Sequence, residues 1–128
     1  MDQIEVGLRA ERIVTVTNDM TATSLGSGSL PIYSTAAMIA LMEAAALDTI
    51  EHLLPDGQAS AGLSFDITHH AATPVGEEVR AQAEVIDIQG QQVVFEVRAW
   101  DNEDLIGEGT HIRVIIDARR LLDQLAKN

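Results

Sequence analysis

Two stretches of the chain alternate apolar and polar residues with a period of two. Val79, Ala81, Ala83 and Val85 interleave with Arg80, Gln82 and Glu84, and Val93, Phe95, Val97 and Ala99 repeat the pattern. Such alternation predicts strands with one buried and one solvated face. Gln89-Gly90 between them predicts a turn, and Asp101-Asn102-Glu103-Asp104 a second. Leu105 to Ile116 is then the last strand, where Gly107 and Gly109 point to a bulge or a close backbone approach. Ile13 to Thr17 is β-branched throughout and predicts a first strand. Gly62 to His69 predicts another short one. Thr35 to Leu54 is rich in Ala, Leu and Met and lacks Gly and Pro, so it predicts one long helix. Ser34 can cap that helix, and Pro55-Asp56-Gly57 ends it. Thr21 to Pro31, with Gly26, Ser27, Gly28 and Ser29 at its centre, predicts a loop or mobile flap. Asp117 to Leu125 predicts a short amphipathic tail helix.

The order is a strand, a long helix, then four strands joined by tight turns. Met38, Ile39, Leu41, Met42, Ala44, Ala45, Ala46 and Leu47 make the helix apolar nearly all round, which predicts burial on all sides. One antiparallel sheet curled around one central helix achieves that. This is the hotdog arrangement, an α+β fold whose helix a second subunit usually covers further. No repeat or internal boundary is visible, so residues 1–128 are expected to form one domain.

Composition narrows the chemistry. The 128 residues are 46% hydrophobic, which excludes a disordered chain, and there are no cysteines, which excludes disulfides and thiolate chemistry. A net charge of −12 and an aromatic content of 3% argue against nucleic acid and anionic membrane as partners. The start, Met1-Asp2-Gln3-Ile4-Glu5, is acidic and does not read as a signal peptide. The longest apolar stretch, Ala36 to Leu47, is too short to span a bilayer and contains Glu43. A cytoplasmic protein is expected.

Glu43 stands out, because a carboxylate in an apolar helix must be paired, protonated or functional. Asp48, Glu51 and His52, near the helix end, are expected to be solvated. His69 and His70 sit where a strand meets the Pro74 turn, and strand alternation sends them to opposite faces, so only one can serve a cleft. A partly exposed structural histidine is the ordinary alternative. Thr35 lies in the first helical turn, beside unpaired backbone N–H groups suited to a carbonyl oxygen turning negative; its ordinary role is capping. For Arg113 the ordinary reading is a surface salt bridge. A metal site would need His69, His70, His111 and Glu43 to converge, and no tight ligand spacing such as HExxH is present, so no metal is expected.

Taken together, Thr35, Leu41-Met42-Glu43, Gly62, Thr68-His69-x-Ala71-Ala72-Thr73-Pro74 and Gly109-Thr110-His111-x-Arg113 carry a resemblance. From about Ile13 to Ile116 the chain resembles the fluoroacetyl-CoA thioesterase-like family of hotdog proteins. The resemblance implies hydrolysis of an acyl-CoA thioester in a homodimer or higher homo-oligomer. It implies Thr35, Glu43 and His69 as the catalytic set, with Gly62 and Arg113 at the substrate site. The family's fluoroacetate-specific member has a phenylalanine-containing lid between first strand and helix. Here that segment is shorter and Gly/Ser-rich, so selectivity for fluoroacetyl-CoA is not implied.

A thioester needs an attacking group, a donor for its carbonyl oxygen and a proton for the departing thiolate. Glu43 would be nucleophile or general base, His69 the proton carrier, and Thr35 with nearby N–H groups the holder of oxygen or water. Coenzyme A enters as part of the substrate, so no separate cofactor is expected. Seven of the eight basic residues are Arg. Arg113 and one or more of Arg80, Arg98, Arg119 and Arg120 are expected along the CoA path or orienting the site. A hotdog dehydratase or a non-catalytic acyl-CoA binder would use the same fold. The joint presence of Thr35, Glu43 and His69 favours hydrolysis. Thr35 and Glu43 stand eight residues apart on one helix, about 12 Å along its axis, so a shared site would draw on two subunits.

Overall fold

The structure, a computed structural model, describes residues 3–127. Met1 and Asp2, part of the acidic start, lie outside the described residues. Strand β1 (Arg9–Thr15) leads through a 3-10 turn (Asn18–Met20) and a four-residue helix α1 (Ala22–Leu25) into the long helix α2 (Thr35–Ile50). Strands β2 (Gln58–His69), β3 (Glu78–Gln89), β4 (Gln92–Asp101) and β5 (Asp104–Asp117) follow, then helix α3 (Ala118–Ala126). The five strands form one antiparallel sheet in the order β1-β3-β4-β5-β2. The sheet packs around α2, giving the hotdog arrangement expected from the sequence.

The alternation in β3 and β4 has the consequence it predicts. Val79, Ala81, Ala83, Val85, Val93, Phe95, Val97 and Ala99 are all fully buried and join Met38, Met42, Ala45, Ala46 and Ile50 of α2 in one core. Burying each larger side chain contributes about 1.5–3 kcal/mol. Gly90 (φ 63°) and Asn102 (φ 55°) supply the left-handed backbone that the two hairpin turns require.

Several boundaries and one burial expectation need correcting. The first strand runs from Arg9 to Thr15, because its pairing with β3 begins at Arg9↔Glu84 in a charged stretch that β-propensity passes over. β2 begins at Gln58, four residues before Gly62. The expected flap contains α1, which Thr21 caps through its side chain and Gly26 closes in a left-handed conformation. The connection from β2 to β3 is a longer loop. The long helix stops at Ile50 and tightens into a 3-10 turn (Glu51–Leu53), and Leu54 is already extended before Pro55. Nor is α2 buried all round: Thr35, Ala36 and Ala40 are exposed, and the Glu43 side chain retains 40% of its accessibility.

Three register shifts interrupt the sheet. In the β2–β5 pair the partners run Gly62↔Arg113 and then Ser64↔Ile112, leaving Leu63 as an extra, exposed residue. The β4–β5 pair shifts beside Gly107, which is the bulge expected there. Gly107 and Gly109 also meet close neighbours. A Cβ on Gly107 would strike Met38, and one on Gly109 would strike the Asp66 backbone. Among the described residues, no helix is long and apolar enough to cross a membrane.

Candidate functional site

Thr35 owes its position to the start of α2. The side chain of Ser34 accepts a hydrogen bond from Ala37 N (3.0 Å), capping the helix, and Ser34 N donates to Met20 O (3.0 Å). Just upstream, Tyr33 N donates to Thr73 O (2.9 Å), and Ile32 bridges to Pro74. The helix start is therefore tied to the turn that follows His69. This brings Thr35 Oγ1 within 2.8 Å of His69 Nδ1. Both line a hollow of about 250 Å³ with Ile32, His70, Ala71 and Ala72.

His69 and His70 do diverge. His70 Nε2 pairs with Glu108 Oε2 at 2.9 Å, both side chains partly exposed. His69 turns inward, and its Nε2 is buried without a hydrogen-bond partner. Burial pushes the His69 imidazole below its usual range; the Ala71 backbone opposes this and His70 adds to it. The ring is thus favoured in its neutral form, able to take up a proton.

Glu43 belongs to a second cluster, farther along α2. Its Oε2 accepts from Arg113 Nη1 at 3.1 Å. Among the described residues no side chain or backbone group bonds its other oxygen. Gly62 faces the same carboxylate, and a Cβ there would overlap Glu43 Oε2, so the absence of a side chain makes the room. Arg113 is no surface residue: it is 4% exposed. Its Nε donates to Ser60 Oγ (2.8 Å), its Nη2 to Ser60 O (3.0 Å), and its Nη1 also faces His111 Nε2 (3.3 Å). Buried and occupied on every side, it orients Glu43.

Ser60 and His111, neither of them an expected site residue, also belong to the Arg113 cluster. Ser60 stands in a stretch without alternation, and its bonds to Arg113 and to Glu51 Oε2 (2.6 Å) become apparent only once β2 lies beside the helix end. Glu51 is therefore engaged, not simply solvated. Asp48 likewise pairs with Arg12 of β1. The other arginines expected near CoA are dispersed. Arg80 pairs with Glu11 and stacks over Trp100, Arg98 pairs with Glu96, and Arg119 and Arg120 lie on α3. Among the described residues, no group of three or more His, Asp or Glu side chains is placed to hold a metal ion.

The chain thus carries two separate clusters: a Thr35–His69 pair, and a Glu43 carboxylate bonded by Arg113 in the room left by Gly62. A family described as fluoroacetyl-CoA-specific thioesterase matches residues 16–119. The fluoroacetyl-CoA thioesterase of Streptantibioticus cattleyicolor is 38% identical over 85 residues, covering 66% of this chain and 61% of the relative. The chain thus aligns with less than two thirds of that relative's length. A solved structure of a fluoroacetyl-CoA thioesterase superposes with a TM-score of 0.92 at 29% identity, over 99% of this chain and 98% of the other. A thioesterase superfamily member from Thermus thermophilus follows with a TM-score of 0.91 at 28% identity, over 99% and 94%. Both the sequence match and the fold lead to one assignment: the chain belongs to the fluoroacetyl-CoA thioesterase family of hotdog proteins.

Proposed function

We propose that this protein is a cytoplasmic acyl-CoA thioesterase that cleaves a short or medium acyl-CoA into free acid and CoA, with Thr35, Glu43 and His69 as its catalytic set. The observation that carries the reading is the 2.8 Å Thr35–His69 pair at the mouth of a small hollow.

In this reading the thioester carbonyl lies at the start of α2. The N–H groups of Thr35 and Ala36 have no intrahelical acceptor and can bind the oxygen as it becomes negative. Glu43 attacks the carbonyl carbon, directly or through a water that it deprotonates. His69 carries a proton and delivers it to the departing CoA sulfur. Water supplies the hydroxyl of the acid and, through these relays, the hydrogen of the thiol. No cofactor is needed.

The working unit is a homodimer. Thr35 and Glu43 are about 12 Å apart along one helix, too far to act on one carbon. A two-fold partner that places its Glu43 near Thr35 and His69 solves this. It would also engage surfaces the single chain leaves open: Ala36 and Ala40 on α2, and Leu63 and Phe65 on the edge strand β2. Assaying CoA thiol release over short, branched, aromatic and long acyl-CoAs tests the reading. Turnover of short or medium substrates is expected, and a folded protein that releases CoA from none of them overturns it.

A further inference from the structure

His111 is fully buried on β5, and its ring stacks on Phe65 of β2 with centroids 4.1 Å apart and planes 7° from parallel. Phe95 of β4 lies on it at 6.0 Å. A phenylalanine would fill that space equally well. The two ring nitrogens show why a histidine is there. Nδ1 lies 2.9 Å from the Ser64 carbonyl, which only accepts, so Nδ1 carries the proton. Nε2 lies 3.3 Å from Arg113 Nη1, which only donates, so Nε2 is bare. The two neighbours thus require a single tautomer.

The consequence passes to the catalytic carboxylate. Arg113 Nη1 faces both His111 Nε2 and Glu43 Oε2, while Nε and Nη2 are held by Ser60. A planar guanidinium fixed at several edges has one orientation, and that orientation sets where Glu43 is gripped. We propose that His111 is a positioning residue, which through its bare Nε2 holds the Arg113 guanidinium in place and so aims the Glu43 carboxylate. The proposal rests on the reading that Glu43 is catalytic.

The charged groups that face His111 are Arg113 on its own strand and Glu43 from α2; β2 and β4 present Phe65, the Ser64 carbonyl and Phe95. Burial pushes the imidazole below its usual range, opposed by the Ser64 carbonyl, reinforced by Arg113 and opposed by Glu43. A proton on Nε2 would remove the acceptor and set a second cation against Arg113.

Three measurements test this. In the unaltered protein, ¹⁵N NMR of the His111 ring should show a protonated Nδ1 and a bare Nε2 at neutral pH; a proton on Nε2 overturns the proposal whether or not any variant folds. His111→Phe keeps the aromatic stack and loses both hydrogen bonds. Its kcat should fall by roughly ten- to a hundredfold with KM little changed, and the acid limb of its pH–rate profile should move. His111→Gln, which restores an acceptor toward Arg113, should recover most of the loss. Wild-type kcat in folded His111→Phe, or no recovery in His111→Gln with an unmoved acid limb, overturns it. If the unaltered protein releases no CoA, the thioesterase reading fails separately, and the tautomer still decides whether His111 grips Arg113.

Discussion

Thr35 and His69 hydrogen-bond across a sequence separation of 34 because a short backbone hitch lies between them. The bond from Tyr33 N to Thr73 O and the Ile32–Pro74 bridge fasten the entry of α2 to the exit of β2. The stretch from Thr68 to Pro74 therefore has two duties. His69 faces the hollow, and Thr73 and Pro74 hold in place the chain that carries Thr35.

Removing either member of that pair should disable turnover without unfolding the protein. Thr35→Ala and His69→Ala are each expected to lower kcat by about 10²–10⁴-fold in a thiol-release assay. His70→Ala removes only the partly exposed pair with Glu108 and should stay close to wild type. Equal losses at the two histidines would show that the inward one has been misassigned.

Two glycine substitutions should fail in different ways. Gly62→Ala pushes against Glu43, the end of a flexible, partly exposed side chain that can move aside. Activity should drop sharply while the melting temperature changes little. Gly109→Ala pushes against the backbone of Asp66, which cannot yield without breaking the β2–β5 pairing. It should destabilise the fold by several kcal/mol or prevent soluble expression. Matching thermal losses in the two would contradict this division.

Arg113→Lys separates orientation of the site from binding of CoA phosphate. Lysine keeps the charge but cannot serve Ser60, His111 and Glu43 together. A fall in kcat at nearly constant KM is the expected result. A rise in KM for acyl-CoA with kcat preserved would return Arg113 to the CoA path.

The shared site can be tested by complementation. Inactive Thr35→Ala and Glu43→Gln proteins, mixed under conditions that exchange subunits, should regain part of the wild-type activity, because one site of each heterodimer would be intact. Sedimentation should show a dimer. An active monomer, or demonstrated exchange with no recovery, refutes a site built from two chains.

Stability should depend on pH through His69 and His111. Both imidazoles are held below their ordinary value of 6.5 in the fold, chiefly by burial. Below about pH 6.5 the unfolded chain takes up protons that the folded chain does not. The stabilisation is complete above that pH and is lost as pH falls toward the folded-state values. Melting temperatures measured from pH 8 to 5 should decline on the acid side, less steeply in His69→Gln. A flat profile in the unaltered protein would contradict this.

What the sequence discloses follows from the range of the forces involved. Alternation is a local consequence of burying one face, so β3, β4 and their turns can be read directly. The Ala- and Leu-rich run and the Ser34 cap disclose α2 for the same reason. Arg9 to Arg12 is charged and becomes strand only because β3 offers its edge, and Gln58 to Ala61 becomes strand only beside β5. At the candidate site, Glu43 is visible as a carboxylate out of place in an apolar helix, while Thr35 and His69, each with an ordinary alternative, are singled out by the resemblance. Ser60 and His111 are not visible as site residues, because a serine in a strand and a histidine between phenylalanines acquire meaning only once β2 lies beside β5 and Arg113 reaches Ser60, fifty-three positions away, and Glu43, seventy away.

The extra residue at Leu63 changes the parity of β2. Before it, Ser60 and Gly62 lie opposite Ile115 and Arg113, on the face that turns toward α2; after it, Phe65, Ile67 and His69 lie opposite His111, Gly109 and Gly107 on that same face. Even positions point inward on one side of the insertion and odd positions on the other. An uninterrupted strand could place Ser60 and Gly62 beneath Glu43 or His69 beside Thr35, but not both. Excising Leu63 would leave His69 where it is, but drawing Leu63 into regular alternation with no bulge would shift every later residue by one place and exchange His69 and His70. The choice between two adjacent histidines is thus made six residues upstream, by one leucine whose own side chain faces solvent.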